Sequence, residues 1–351
     1  MRDSRRRPGV TVYARDFPIS PGFRHLSGSG GDLRPLEWVA CAPPSLLTVN
    51  TATETSLLPA RPKRDRAATI IARRTAELAN IWSETPREAG SFAYMARVLA
   101  QATLPHSEPE GLTYSRTNGN LTLVVTTTPD AGGLPYGSLP RLLLAWITSE
   151  VVTKRSREIS LGHNVSEFMR DKLGMAMTGG KNGTITRLRE QLQRLTHATF
   201  KVVYRDAEVH AVSKGWDPIE ESATWWQPHA NSRQQDLFES RLLLGQKFFD
   251  EICASAVPLD WRVLKHFQKS PMRIDIAIWL PHRLHELKKD AFIPWNALAT
   301  QFGAEYKEPR QFKAAFLKAL RDVLRVYDRA RVDISDTGLR LRPSPPLLAA
   351  A

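Results

Sequence analysis

Two cysteines in 351 residues, Cys41 and Cys253, are too few for a disulfide framework or for a zinc site of their own. That scarcity fits a reducing cytoplasm. No uninterrupted apolar run approaches the ~20 residues that span a bilayer, so no membrane partner is read. No apolar stretch follows the basic start Met1–Arg7, which argues against a secretory signal. None of the 9 histidines forms a His-x-His pair, and a rolling-circle nicking enzyme would need a close histidine pair beside a nucleophilic tyrosine. The phosphate-loop pattern GxxxxGK[ST] is missing too. Between Gly174 and Asn182, Gly180 stands where the lysine belongs, and no Ser or Thr follows Lys181. His282, His285 and Glu286 have helical spacing, but no third ligand or His-Glu-x-x-His pattern accompanies them. No catalytic residue, cofactor site or metal site is assigned, and the chain reads as non-enzymatic.

What the sequence has is positive charge. Lys and Arg total 49 against 36 acidic residues, a net charge of +13. The excess is uneven. It is +5 over residues 1–66, −1 over 67–133, +6 over 134–214, −4 over 215–257 and +7 over 258–343, with no charge beyond. Uniform basicity would serve solubility; two discrete basic blocks around an acidic one fit two binding surfaces for a polyanion.

The pattern of residues follows the same divisions. Residues 1–66 hold eight prolines and Gly28-Ser29-Gly30-Gly31 with no hydrophobic period, the composition of a disordered basic tail. Residues 67–133 predict two helices parted by Pro86. One carries Ile70, Ile71, Leu78 and Ile81, the other Phe92, Met95, Val98 and Leu99; a hairpin turning at Asn118-Gly119 follows. Residues 134–214 predict helix Arg141–Thr153, an extended Ile159–Leu161, helix Val165–Leu173 and helix Thr184–His197. Strands Thr199–Tyr204 and Val209–Val212 follow as the wing. That is the order of a winged-helix domain. Residues 215–257 read as an acidic connector, in which Trp216, Trp225 and Trp226 pack rather than stack on bases. Residues 258–343 repeat the winged-helix order, with helices 273–287, 295–302 and 309–326 and strands 331–334 and 339–341. Lining up Trp146 with Trp279 places two helix-ending glycines, Gly174 and Gly303, at comparable distances downstream. The fold class is therefore α+β, mainly helical, with two tandem winged-helix domains, a helical and hairpin extension, and the tail.

The third helix of each repeat is the candidate DNA reader. In the first, Ile185, Leu188, Leu192 and Leu195 form an apolar stripe, opposed by Thr186, Arg187, Glu190, Gln193 and Arg194. In the second, Phe312, Phe316, Ala319, Leu320 and Val323 are opposed by Arg310, Lys318, Arg321 and Arg325. Such a helix docks by one face and offers the other to phosphates and base edges of duplex DNA. Lys181, in the Gly-rich turn before the first of these helices, is placed to meet a phosphate. Arg187 and Arg194, two turns apart, read as the exposed pair of the first unit.

Four blocks carry a family resemblance. Gly133-Leu134-Pro135-Tyr136-Gly137-Ser138-Leu139-Pro140-Arg141-Leu142-Leu143-Leu144-Ala145-Trp146 is similar to the signature of the plasmid-encoded RepA replication proteins. So are Ser166-Glu167-Phe168-Met169-Arg170, Thr178-Gly179-Gly180 with Thr184–Arg189, and Ile293-Pro294-Trp295 with Gln301-Phe302-Gly303-Ala304. The resemblance runs from about Ala89 to Pro343. It implies a cytoplasmic plasmid replication initiator that binds repeated origin sites and helps open the duplex. Its partners would be host replication machinery such as a helicase or initiator, and a second copy in a homodimer. Lys181-Asn182 departs from the basic or aromatic pair usual after Gly-Gly. The competing readings are a winged-helix transcriptional repressor and a DNA-bridging protein without initiator activity.

Overall fold

The computed structural model describes residues 66–205, 212–223, 240–303, 306–345 and 347. All belong to one compact unit, Lys63–Ala351. The tail read over residues 1–66 lies outside the described residues apart from Arg66, as do Cys41, Trp225 and Trp226.

Helix α1 (Arg66–Ser83) occupies the first predicted helix. The second is corrected: Phe92–Ala96 is strand β1, and only Arg97–Gln101 is helical (α2). β1 pairs antiparallel with β9 (Ala256–Asp260), Phe92 opposite Asp260. Pairing buries Ala93 and Met95 and leaves Phe92 exposed. That two-residue alternation was hidden because Phe92, Met95 and Val98 also fit a three-residue spacing. The hairpin forms as predicted from β2 (Thr113–Asn118) and β3 (Leu121–Thr126), turning at Gly119 with φ +56°.

The first repeat is α3 (Ser138–Lys154), β4 (Glu158–Gly162), α4 (Val165–Glu167, continued by a π-helical turn Phe168–Lys172) and α5 (Thr184–Thr196). After it come β5 (Thr199–Tyr204), β6 (Val212–Trp216), β7 (Ile219–Ala223), β8 (Ser240–Leu244), α6 (Gln246–Ser255), β9 and α7 (Trp261–His266). The second repeat is α8 (Pro271–Glu286), β10 (Ala291–Pro294), α9 (Trp295–Phe302), α10 (Pro309–Val326), β11 (Val332–Ile334) and β12 (Gly338–Leu341).

Strand pairing differs from the predicted wing. β5 and β6 join the hairpin in one sheet, ordered β2-β3-β5-β6, so residues on both sides of position 133 share it. β4 instead pairs with β8, which pairs with β7, both inside the stretch read as a connector. The second repeat has the equivalent order, β10-β12-β11. In each repeat the strand ahead of the middle helix lies beside the last strand of a later hairpin. Trp216 packs, as its acidic neighbours suggested. Its ring stacks on Phe248 at 4.7 Å and tilts against Phe200 at 5.1 Å.

The duplication extends to the core. Trp146 meets Phe168 edge-on at 4.8 Å, and Trp279 meets Phe302 edge-on at 5.3 Å. Each contact is worth ~0.5–1.5 kcal/mol beyond its buried area. The two glycines differ, however. Gly174 adopts φ +59°, a left-handed helix end. Gly303 does not; it is required because a Cβ there would lie 2.6 Å from the Phe312 ring.

One buried ionic cluster joins the repeats. The Arg141 guanidinium in α3 donates to both carboxylate oxygens of Asp275 in α8, at 2.6 and 2.8 Å. It also donates to the carbonyls of Leu104, Pro105 and Gly137 at 2.6–3.0 Å. His106 Nε2 lies 2.8 Å from Asp275 Oδ2. Burial pushes the Asp275 carboxyl up, but the charge of Arg141 and hydrogen bonds from His106 and Arg141 outweigh it and hold it below the usual range. A depressed folded value means the stabilisation is full above pH ~4 and is lost as pH falls through that value. Asp275→Asn should therefore cost ~3–5 kcal/mol at pH 7 by urea unfolding. The gap from the parent should narrow below pH ~4; a gap that stays constant there would refute the assignment.

Arg116 of β2 is the opposite case. It is 1% exposed, and none of its guanidinium nitrogens hydrogen-bonds another described residue; its guanidinium lies over the Tyr114 ring at 5.1 Å. A buried charge without a carboxylate is costly. Arg116→Met should leave the melting temperature unchanged or raise it, and a clear drop in calorimetry would show a partner that the packing does not supply.

Candidate nucleic-acid interface

The turn before α5 is set by side chains. Thr178 N–H donates to Thr184 Oγ1 and Thr184 N–H to Thr178 Oγ1, both at 2.9 Å. This reciprocal clasp satisfies amides that a helix start leaves free. Thr186 Oγ1 donates to the Gly180 carbonyl at 2.9 Å. Thr186, a candidate contact residue, thus spends its hydroxyl on the turn. Gly183 closes it because a Cβ would sit 2.3 Å from the Thr178 carbonyl oxygen. Lys181 projects from the turn, exposed.

Along α5 the predicted stripe is buried: Leu188, Leu192 and Leu195 are at most 3% exposed, with Ile185 partly covered. Arg187, Glu190 and Gln193 are exposed on the opposite side. Arg194 is not free on that face. Its side chain is 14% exposed and pairs with Glu108 at 2.7 Å. Its guanidinium lies over the Tyr136 ring at 5.0 Å and donates to the Leu134 carbonyl at 3.3 Å. Gln191, which periodicity passed over, is buried and accepts the Tyr136 N–H at 2.9 Å. Together these two side chains fasten the Gly133–Gly137 loop to α5. The pointer to them was Tyr136 itself, an aromatic in a glycine–proline loop that needs something to pack against.

On α10 the stripe Phe312, Phe316, Ala319, Leu320 and Val323 is buried as predicted. Phe316 anchors it, with Phe302 at 5.3 Å and Phe312 at 5.5 Å. Arg310, Lys318, Arg321 and Arg325 are exposed. Arg325 is 72% exposed and pairs with Asp322 at 3.3 Å; Asp322 also holds Arg273 at 2.7 Å. An exposed pair of that kind is worth ~0.2–1 kcal/mol and exchanges readily for a phosphate. Among the described residues, Lys181, Arg187, Arg310, Lys318 and Arg321 make no side-chain hydrogen bond or ion pair, so their charge is available to a polyanion. Lys313, missed by the sequence reading, lies over the Trp295 ring at 5.0 Å and donates to the Asp336 carbonyl at 3.1 Å, tying α10 to the β11–β12 turn. Among the described residues no cluster of His, Cys, Asp and Glu is placed to hold a metal, and no helix is long and apolar enough to cross a membrane.

Arg194 and Arg187 should respond differently to truncation. Arg194→Ala removes the Glu108, Tyr136 and Leu134 contacts, so the melting temperature should fall. Arg187→Ala removes no contact within the chain and should melt within about 1 °C of the parent, the usual range for an exposed substitution. Equal melting of both variants would show that Arg194 does not hold the loop.

Residues 134–296 match the family model described as plasmid encoded RepA protein. The match bears out the resemblance seen in the sequence. Two crystal structures of domains 2 and 3 of RctB are also similar. One shares 10% identity over 70% of this chain and 98% of that chain, with a TM-score of 0.45. The other shares 11% over 70% and 96%, with a TM-score of 0.39. No curated protein matches the chain.

Proposed function

We propose that the chain is a plasmid replication initiator. It binds repeated origin sites in duplex DNA through two winged-helix units and helps open the duplex for host replication proteins. The carrying observation is the match of residues 134–296 to plasmid-encoded RepA. The equivalent strand orders β4-β8-β7 and β10-β12-β11 support the winged-helix reading of both repeats. On this reading β7–β8 would serve as the wing of the first unit. α5 and α10 are then the recognition helices. Lys181, Arg187, Arg310, Lys318, Arg321 and Arg325 supply charge to phosphates and base edges, and Glu190 and Gln193 add hydrogen bonds. The work is done by binding, in the cytoplasm, with no catalytic group, nucleotide or metal. A homodimer would present four such helices to a repeated site.

Gel shifts on the cognate origin should therefore persist in EDTA without ATP. Lys318→Ala should weaken cognate and scrambled sites alike and reduce the salt slope by about one. Arg187→Ala should cost ~1–3 kcal/mol at the site it reads and relax preference there. If both variants bind both sequences like the parent, neither helix touches DNA. A plasmid carrying the coding sequence and an origin fragment should replicate in a polymerase-deficient host. Binding without replication would leave a repressor or a bridging protein.

A further inference from the structure

A groove of about 850 Å³ lies beside β9, away from the two recognition helices. Residues 254–259 form one wall without interruption, and Pro281 and His285 of α8 face them. β9 pairs with β1 alone among the described strands. Trp261 N–H donates to the Ser91 carbonyl at 2.8 Å, so by alternation the amides of positions 257 and 259 also face β1, while position 258 faces the groove. That position is Pro258, which has no N–H to give. The free edge is thus blunted against strand addition. What the β9 edge offers a ligand is apolar surface, together with the exposed Phe92, in a groove that Arg87, Glu88 and Arg97 also line.

Leu347 is already at this groove, partly buried against the core. The chain leading to it is tethered. Arg331 N–H donates to Ser344 Oγ at 3.0 Å, and the Tyr327 hydroxyl donates to the Pro345 carbonyl. Burial pushes the Tyr327 hydroxyl up to about 12, so it stays a donor at any physiological pH. From Pro343 to Ala351 the sequence is Pro-Ser-Pro-Pro-Leu-Leu-Ala-Ala-Ala, with no charge. Three prolines favour an extended, pre-organised chain and remove its amide donors. The β9 wall and the segment therefore match in chemistry, apolar and proline-bearing on both sides, while Arg87, Arg97, His282 and Glu286 line the rest of the groove. Partial burial of the Leu347 side chain adds to the two tethers in holding the segment there.

We propose that this groove is a docking site whose resident occupant is the chain's own Leu347, delivered by the tethered segment Pro343–Pro345, which closes it to proline-bearing apolar segments of other proteins. The test uses a fluorescent peptide of the sequence from Arg342 to Ala351, followed by anisotropy on the full chain. The parent should bind it weakly, because its groove is filled. Leu347→Asp, which leaves the Tyr327 and Arg331 tethers in place, should bind the peptide at least tenfold more tightly. Adding Phe92→Asp to Leu347→Asp should abolish that gain. Thermal melting of each variant confirms folding before the peptide is added. Equal affinity of the parent and Leu347→Asp would overturn the proposal, as would retention of the gain when Phe92 is replaced. If the parent sediments as a dimer that Leu347→Asp dissolves, the segment seats in a second copy and the intramolecular docking is wrong. None of these outcomes depends on DNA binding.

Discussion

The Arg141–Asp275 pair is the contact on which the arrangement of the two repeats depends. Arg141 belongs to α3 of the first repeat and Asp275 to α8 of the second, and both are at most 4% exposed. A buried charge is costly unless its lone pairs and protons find partners. Here Arg141 spends its donors on Asp275 and on three carbonyls of the 104–105 and 137 backbone, and Asp275 also meets His106. Geometry this demanding has one solution. Sliding either helix by a turn would bury an uncompensated charge. Apolar packing of α3 against α8 would tolerate several registers; the ionic cluster selects one.

That constraint also explains why the Gly133–Trp146 block reads as a signature. Its larger side chains are spent inside the fold. Tyr136 docks on Gln191 and Arg194 of α5, Arg141 bridges to α8, and Trp146 packs on Phe168. The block fixes α5 against the rest of the molecule. A motif can thus mark a family through residues that hold the fold together.

Much of the helical order was legible in sequence because it rests on local periodicity. The stripes on α5 and α10, the hairpin at Gly119 and the parallel Trp146 and Trp279 all follow from residues close to one another in the chain. Strand partnership did not follow, since it is decided at long range. β4 finds β8 about eighty residues downstream, and β1 finds β9 across most of the described chain, with no sequence mark naming the partner. Phe92–Leu99 was misread because its apolar spacing satisfies two periods. Arg194 was misread because a helical wheel shows which way a side chain points but not what another segment brings to it. Arg141 and Asp275 were overlooked for the same reason: each is an ordinary charged residue until the fold pairs it.

The two repeats also differ in how firmly their helices are held, and this bears on their division of labour in the proposed function. α5 is fastened at its start by the Thr178–Thr184 clasp and in its second half by Gln191 and Arg194. A helix so fixed loses little further entropy on docking, and its exposed Arg187, Glu190 and Gln193 include both donors and acceptors, as base-edge discrimination requires. α10 presents mainly cations on its outer face, Arg310, Lys318, Arg321 and Arg325, with Arg325 in an exposed pair that a phosphate can replace. Cations without acceptors neutralise a backbone well but distinguish bases poorly. In the proposed function, sequence choice would fall to the first repeat and salt-dependent affinity to the second. The buried Arg141–Asp275 pair fixes α3 against α8, so the core, rather than either surface, joins the elements that carry these two contributions.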